Sequence, residues 1–505
     1  MVDVLYSLVD VNERFDQLIL DHLYIRHLNM TTMTIRSVFD RIYSIDDQVL
    51  SRICEQILPR IHHQVNQLTV DPYSMDRLLT VNYSQLYSLS LVDFQEKILL
   101  QYLKGNSILS DLLSEQITHL SIDMEVKTSM PPLSKTVSKI FVLILSLCKR
   151  LISLNFCSSY RYRLMAIHIF KPSTTNCISS TLTTLNINVD NFADCLYLLD
   201  GRLNCLSTLI IRVLKIPPVI SKIKNTKKLP KLKSFSLTSV YITMAYDNLI
   251  IPLLRRMINL EELKLFLSVI RFDSTYIDGI QLHDEVLIYI PRLNKLTFSI
   301  DTILFNNNIK IDHRSNEEIR RSFIGRVYGQ IGSDVQTIVM KNKGMCHVYS
   351  LPYQFEDFCR LNNSFQGGMF DKVQCLVMID EIYPFEHHFF QLISQDFPFL
   401  KELYIVNCHP QKDKQHSSTL IRFPYLWLLD IDMAHMDYVE EFLFDKNIHL
   451  PRLLNLSIKY ESFAIVTNNF TNDAARVTCG KLKYLEISEP FVRPENFHQY
   501  FPLLL

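Results

Sequence analysis

Residues 182–211 read LTTLNINVDNFADCLYLLDGRLNCLSTLII. They open with the phrase apolar-x-x-apolar-x-apolar, formed by Leu182, Leu185 and Ile187, and they close on a second copy of it around Leu209. The alternation at the end of each phrase predicts a half-buried β-strand. The residues between the two copies leave room for a helix of about three turns.

The segment between the two phrases carries helix signals of its own. Asp190 or Asn191 can cap the first turn, and Gly201 suits the left-handed conformation in which many helices end. The apolar residues between them recur at the spacing of one buried helical face: Phe192, Cys195, Leu196 and Leu199. The stretch therefore predicts a strand, a helix and a second strand, which together we call one coil.

The same phrase returns along most of the chain at steps of roughly 30 residues. We take the middle apolar residue of each copy as the anchor of a strand: Leu68, Leu89, Leu120, Leu154, Leu185, Leu209, Phe235, Leu263, Leu296, Ile338, Leu376, Leu403, Leu429, Leu456 and Leu485. Such a period is typical of solenoids, in which every coil stacks on its neighbours. We predict an α/β solenoid shaped like a horseshoe, with parallel strands on the concave face and helices on the convex face. It would span residues 23–505, with insertions around residues 301–370.

Composition narrows the class of protein. Lysine plus arginine and aspartate plus glutamate both number 52, so the formal net charge is zero, which argues against nucleic-acid or anionic-membrane partners. The longest apolar run, Ile140 to Leu145, is far shorter than the roughly 20 residues of a membrane-spanning helix. We predict that this run is the buried helix of one coil.

The 11 cysteines are odd in number and irregularly spaced, which favours reduced thiols. The first twenty residues lack the basic opening of a secretory signal. We therefore expect a cytoplasmic or nuclear protein that is not secreted. Because the motifs of metalloproteases, nucleotide-binding loops and serine hydrolases are missing, we also expect no catalytic residues, no metal and no cofactor.

The phrase resembles the leucine-rich repeat family. The family's asparagine or cysteine, three residues after the last apolar position, has one counterpart here, Cys408. We therefore expect the usual ladder of buried side-chain hydrogen bonds to be missing and the coils to be irregular.

The opening segment resembles the second half of an F-box, most clearly in Val11-Asn12-Glu13-Arg14-Phe15. Residues 370–373 and 384–390 resemble F-box proteins with irregular leucine-rich repeats. In that family the F-box docks on a Skp-type adaptor of a cullin ubiquitin ligase, and the repeats hold a protein substrate. The resemblance implies a substrate receptor whose adaptor contacts come from apolar residues in helical spacing: Leu5, Leu8, Val11, Phe15, Leu18 and Ile19.

The first half of an F-box has no counterpart before Met1, so three interpretations stay open. The given chain starts late, or this version has lost adaptor binding, or residues 1–22 are a cap that covers the first coil, as terminal coils require. On the last two interpretations the protein is a free-standing interaction scaffold without a ligase connection.

The predicted concave surface changes character along the chain. In the first half its residues are small and polar, as at Ser90, Ser121 and Asn186. From the eleventh coil onward they are apolar with an acidic edge. Because neighbouring strands lie about 4.8 Å apart, we expect these later residues to form one partner-binding patch: Val377, Ile379, Tyr404, Val406, Leu428, Asp430 and Asp432.

Overall fold

The computed structural model is an α/β structure with a large, predominantly parallel sheet and helices. It describes residues 5–7, 9, 11–19, 25–31, 34–37, 40–42, 45–105, 107–124, 135–157, 166–169, 178–218, 227–239, 241–272, 274–305, 314–325, 329–338, 342–413, 420–489, 491, 493–494 and 496–504. The described side chains exclude those of residues 15, 18–19, 34–37, 40–42 and 107.

The strands are β1 (His27–Asn29), β2 (Thr34–Ser37), β3 (Asp40–Ile42), β4 (Gln67–Val70), β5 (Ser88–Phe94), β6 (His119–Met124), β7 (Ser153–Phe156), β8 (Thr184–Asn191), β9 (Thr208–Lys215), β10 (Ser234–Ser239), β11 (Glu262–Phe272), β12 (Lys295–Phe305), β13 (Gln330–Ile338), β14 (Lys343–Leu351), β15 (Asp357–Leu361), β16 (Cys375–Ile379), β17 (Glu402–Val406), β18 (Ile421–Arg422), β19 (Leu428–Asp430), β20 (Ile448–His449), β21 (Asn455–Ile458) and β22 (Tyr484–Ile487).

The α-helices are α1 (Glu13–Ile19), α2 (Asp47–Arg52), α3 (Leu58–Ile61), α4 (Pro72–Leu78), α5 (Glu96–Gly105), α6 (Ser107–Glu115), α7 (Lys135–Leu147), α8 (Phe192–Leu198), α9 (Ile251–Leu254), α10 (Gly279–Glu285), α11 (Asn316–Arg321), α12 (His387–Asp396), α13 (Met436–Leu443), α14 (Tyr460–Val466), α15 (Asp473–Cys479) and α16 (Phe497–Tyr500). Among the described residues, no helix is both long and apolar enough to cross a membrane.

The chain divides into two compact units. The first comprises Met1–Ile35, Phe39–Ser268 and Asp284–Lys295. The second comprises Arg36–Val38, Val269–His283 and Leu296–Leu505.

In the first unit, parallel strands pair side by side in chain order, from β1 through β4 to β11. The anchors that the sequence predicts lie opposite one another in this register, as Leu89, Leu120 and Leu154 do, and their side chains are buried. The ladder also contains a coil that we did not predict, because Leu28 pairs with Leu68 in the same register. Its phrase is Ile25-x-x-Leu28-x-Met30, and all three apolar residues are buried.

A main-chain hydrogen-bond pattern recurs just before successive strands of the parallel ladder. The carbonyl of Tyr87 accepts from the N–H groups of Thr118 (2.9 Å) and His119 (3.0 Å). The carbonyl of Thr118 in turn accepts from Ile152 (2.8 Å) and Ser153 (3.0 Å). The same pattern joins the parallel strands of the second unit, where the carbonyl of Gln374 accepts from residues 401 and 402.

Two helices of the first unit follow the predicted patterns. In α7 the apolar run is buried through Ile140, Phe141 and Ile144, which confirms that it belongs to the core. Asn191 is the residue that caps α8: its side chain accepts from the N–H groups at 193 and 194. Gly201 has a φ of 106°, the left-handed conformation expected of the stop after that helix.

The second unit begins with antiparallel strands, which corrects one predicted anchor. Ile338 was expected in a parallel coil, but β13 pairs antiparallel with β14, and β14 pairs antiparallel with β12. The parallel ladder of this unit runs β15, β16, β17, β19, β21, β22. Its first anchor is Phe358, which lies opposite Leu376.

The core of the second unit is rich in aromatic rings. Phe370 stacks on Phe397 with centroids 4.8 Å apart, and it also contacts Tyr349, Tyr353 and Phe358 edge-on. Ring pairs of this kind add specific geometry to ordinary apolar burial. The cluster packs the antiparallel strands against the start of the parallel ladder within this unit.

Candidate functional site

The residues of the predicted partner patch come together on β16, β17 and β19. Val377, Tyr404 and Asp430 lie opposite one another in a single row across the three strands. Ile379 lies opposite Val406 in the next row on the same face of β16 and β17. The register therefore places five of the predicted side chains side by side.

The side chains of the predicted patch differ in how much of their surface is exposed to solvent. Val377, Ile379, Tyr404 and Val406 are half-buried, so part of each side chain reaches the surface. Leu428 was predicted on the same surface, but it is only 7% exposed. Asn455 lies opposite it on β21 and is 2% exposed, so the row that contains Leu428 is closed to solvent here.

The acidic edge extends further than the sequence suggested. Asp430 lies opposite Ser457, and Ser457 lies opposite Glu486 on β22, which is exposed. Asp432 lies two residues after the end of β19 and accepts a hydrogen bond from the Ser488 hydroxyl at 2.6 Å. Ser457 and Glu486 directly follow the anchors Leu456 and Leu485, so the same alternation places them on this surface, although the predicted patch did not include them.

The carboxylates of this edge influence one another. Burial raises the pKa of Asp430 to about 6, and the N–H of Asp432 partly offsets this by donating to the Asp430 carboxylate at 3.1 Å. The negative charges of Asp432 and Glu486 raise the same pKa further. The three carboxylates of this edge therefore repel one another.

Buried amide and carboxylate side chains support this face from the ends of its strands. Asn407, 1% exposed, donates to the carbonyl of Tyr383 at 2.8 Å and accepts from the N–H of His409 at 2.9 Å. Asp380, 2% exposed, occupies the matching position one coil earlier and accepts from two N–H groups of its own turn.

These bonds correct the expectation that a side-chain ladder is missing. Asn362 begins the series, since it is buried and accepts from the N–H of Ser364 at 2.8 Å. Cys408, the residue expected from the family pattern, is exposed. In this turn the buried polar side chain is Asn407, one residue before Cys408.

The N-terminal segment belongs to the first unit, and its predicted adaptor residues differ in accessibility. Leu5 is fully buried, whereas Val11 is 57% exposed. Phe15, Leu18 and Ile19 lie on α1, but their side chains are outside the described set, and Leu8 is outside the described residues.

Two arginines tie this segment to the helices that follow it. The Arg52 guanidinium donates to the carbonyl of Val9 at 2.9 Å and lies 5.1 Å from the centre of the Tyr6 ring. Arg60 forms an ion pair with Asp16 at 2.9 Å. The segment is therefore packed on the first unit.

A serine and a histidine meet in the second unit, but away from the surface. The Ser299 Oγ lies 2.8 Å from the His347 Nε2 and 3.1 Å from the Tyr353 hydroxyl. Ser299 is 3% exposed and His347 is 5% exposed. Burial lowers the pKa of His347 to about 3, so the ring is neutral at ordinary pH. A substrate cannot reach this pair, and we assign it to the core.

Metal-ligand spacing occurs once among the described residues, where the ligand atoms of His168, Asp190 and Asp194 lie within 4.8 Å of one another. Asp194 is the third residue of α8. Its carboxylate accepts from the N–H groups of Ile169 at 2.7 Å and Asn191 at 3.3 Å. This arrangement is a helix cap whose acceptors are already in use.

Comparison with known proteins does not identify a family for this chain. No protein-family model matches the chain, and no curated protein matches it.

Proposed function

We propose that this protein is a leucine-rich-repeat solenoid that binds a protein partner on the exposed face of β16, β17 and β19. The aligned anchors and the recurring main-chain hydrogen bonds support a stack of equivalent coils. The observation that carries the binding role is the row formed by Val377, Tyr404 and Asp430. Such a row, apolar at one end and acidic at the other, is typical of a recognition surface rather than a reaction centre.

We further propose that the binding surface serves substrate recognition in a cullin-type ubiquitin ligase, with docking on a Skp-type adaptor through residues 5–19. The resemblance of Val11 to Phe15 to an F-box supports this role. Val11 is exposed and available for such docking. In this role the protein carries out no chemistry of its own.

The second candidate is a free-standing interaction scaffold. The burial of Leu5 and the contacts of Arg52 and Arg60 favour it, because they are the contacts of a segment that covers a terminal coil. Both candidates use the same partner surface and differ only in what the N-terminal segment does.

A pull-down of the full chain with a purified Skp-type adaptor distinguishes the two. We expect capture of the native chain and loss of capture on Val11→Asp combined with Phe15→Asp. Gln17→Asp is the matched control, since it adds a negative charge at an exposed position of α1 outside the apolar set. Far-UV circular dichroism checks that all variants are folded.

If the native chain folds and the adaptor does not capture it, the ligase role is wrong and the scaffold role stands. If Gln17→Asp abolishes capture as fully as the double variant does, the contact does not use the predicted apolar residues.

A further inference from the structure

The exposed face of the second unit has an apolar floor. Val377 and Ile379 on β16 lie beside Tyr404 and Val406 on β17, and all four are half-buried. Tyr404 stands in the middle of its row, between Val377 and Asp430. A partner side chain laid on this floor contacts both aliphatic groups and an aromatic ring, and aromatic rings also attract cations.

An acidic wall borders this floor. Asp430 lies beside Tyr404, Ser457 comes next in the same row, and Glu486 follows it. Asp432 adds a carboxylate two residues after the end of β19. Three carboxylates thus act on one edge, and two of them repel the third.

The spacing of these carboxylates argues against a metal ion. Among the described residues, the group whose ligand atoms all lie within 4.8 Å of one another is in the first unit, around His168. The oxygens of Asp430, Asp432 and Glu486 do not meet that distance as a group. A guanidinium is larger, carries several donors in a planar fork and can bridge carboxylates that are farther apart.

We propose that this face binds an extended protein segment that presents apolar residues and an arginine or lysine at every second position, so that all of these side chains point toward the face. The cation would lie against Asp430, Asp432 and Glu486, and the apolar side chains would lie on the floor of Val377 and Tyr404. This inference rests on the proposed partner-binding function and specifies the chemistry of the partner.

The test measures binding of the full chain to a fluorescent peptide of about eight residues in which valine and arginine occupy every second position and serine the positions between, so that valine and arginine point to the same side of an extended strand. A second peptide carries citrulline, a neutral isostere of arginine, at every arginine position. We expect fluorescence anisotropy to show the citrulline peptide binding about tenfold or more weakly, and the arginine peptide weakening as salt rises.

Substitutions of the acidic residues test whether they are the ones that bind the arginines. We expect Asp432→Asn combined with Glu486→Gln to weaken the arginine peptide by about tenfold. Glu440→Gln combined with Glu461→Gln is the matched control, because it removes the same charge from exposed positions on α13 and α14. Glu486→Lys reverses a charge at an exposed site, so it tests the wall without disturbing the core.

Equal binding of the two peptides would overturn the inference, because the charge of the arginines would then not contribute to binding. An equal loss of binding in the control pair would also overturn it, because the electrostatic attraction would then not be specific to Asp432 and Glu486. Adaptor capture of the same preparation reports on the N-terminal segment independently. A chain that retains capture but does not bind the arginine peptide would therefore contradict the partner chemistry and leave the ligase role standing.

Discussion

Asp430 is a carboxylate at which burial and neighbouring charge act in the same direction. Both favour its protonated form, and the pKa rises to about 6. In the unfolded chain the same group titrates near its ordinary value of about 3.9. As pH rises from about 4 to about 6, the unfolded chain therefore loses this proton before the folded chain does, and the free energy of unfolding falls.

Asp430→Asn removes this ionisation. We compare the free energies of unfolding of the variant and the native chain at two pH values. We expect the variant's advantage over the native chain to be about 2 kcal/mol larger at pH 7.5 than at pH 4. Urea unfolding at the two pH values measures the change. Asp473→Asn is the control, because it makes the same chemical change on a side chain that is 88% exposed. A stability difference that is the same at both pH values would contradict the raised pKa.

The sequence predicted part of this site from single residues. Val377, Tyr404 and Asp430 each directly follow an anchor, so the period-two alternation of a strand places them on the outer face. Glu486 follows the anchor Leu485 in the same way, and the pairing of β19, β21 and β22 places it in the row of Asp430. Leu428 occupies an outward position in the pattern yet is buried, because alternation sets the direction of a side chain and not what covers it.

At the scale of elements, Asn407 closes the turn after β17 and joins it to the preceding coil. Its amide is buried and makes two hydrogen bonds to main-chain groups. We expect Asn407→Ala to lower the free energy of unfolding by about 2 kcal/mol, since two buried partners lose their bonds. Cys408→Ala, one residue away and exposed, is the matched control and should change stability by less than about 0.5 kcal/mol. Urea unfolding measures both, and equal effects would show that the Asn407 amide does not hold the turn.

The direction of strand pairing is the feature that the sequence pattern did not encode. Val335 and Ile338 match the phrase, but alternation looks the same in parallel and antiparallel strands. The connection decides the direction: β13 and β14 are joined by a few residues, whereas a parallel pair needs a dozen or more. Asn342, with a φ of 44°, lies in this turn and is followed by Lys343 and Gly344. That short polar run was the available signal for a hairpin.

At the scale of the whole molecule, the proposed stack of coils predicts that damage spreads only to neighbouring coils. Leu185 is fully buried on β8, and Leu185→Ala is expected to cost about 2–5 kcal/mol. Hydrogen exchange should then accelerate in β7, β8 and β9, less in β4 and β5, and not in β16 to β22. Thr184→Ala, on the half-buried face of the same strand, is the control. Uniform acceleration along the chain would show that the coils unfold as one block.

The main-chain bonds between coils have a consequence for how such a protein changes over generations. Tyr87, Thr118, Ile152 and Thr183 all supply the same carbonyl to the next coil, although their side chains have little in common. Because this hydrogen bond does not depend on the side chain, mutation can change the outward residues without breaking the bonds between coils. A duplicated coil would already carry the carbonyl that joins it to the next coil. In the proposed stack of coils, a few surface substitutions would therefore exchange one partner for another, while the buried anchors would hold the scaffold in place.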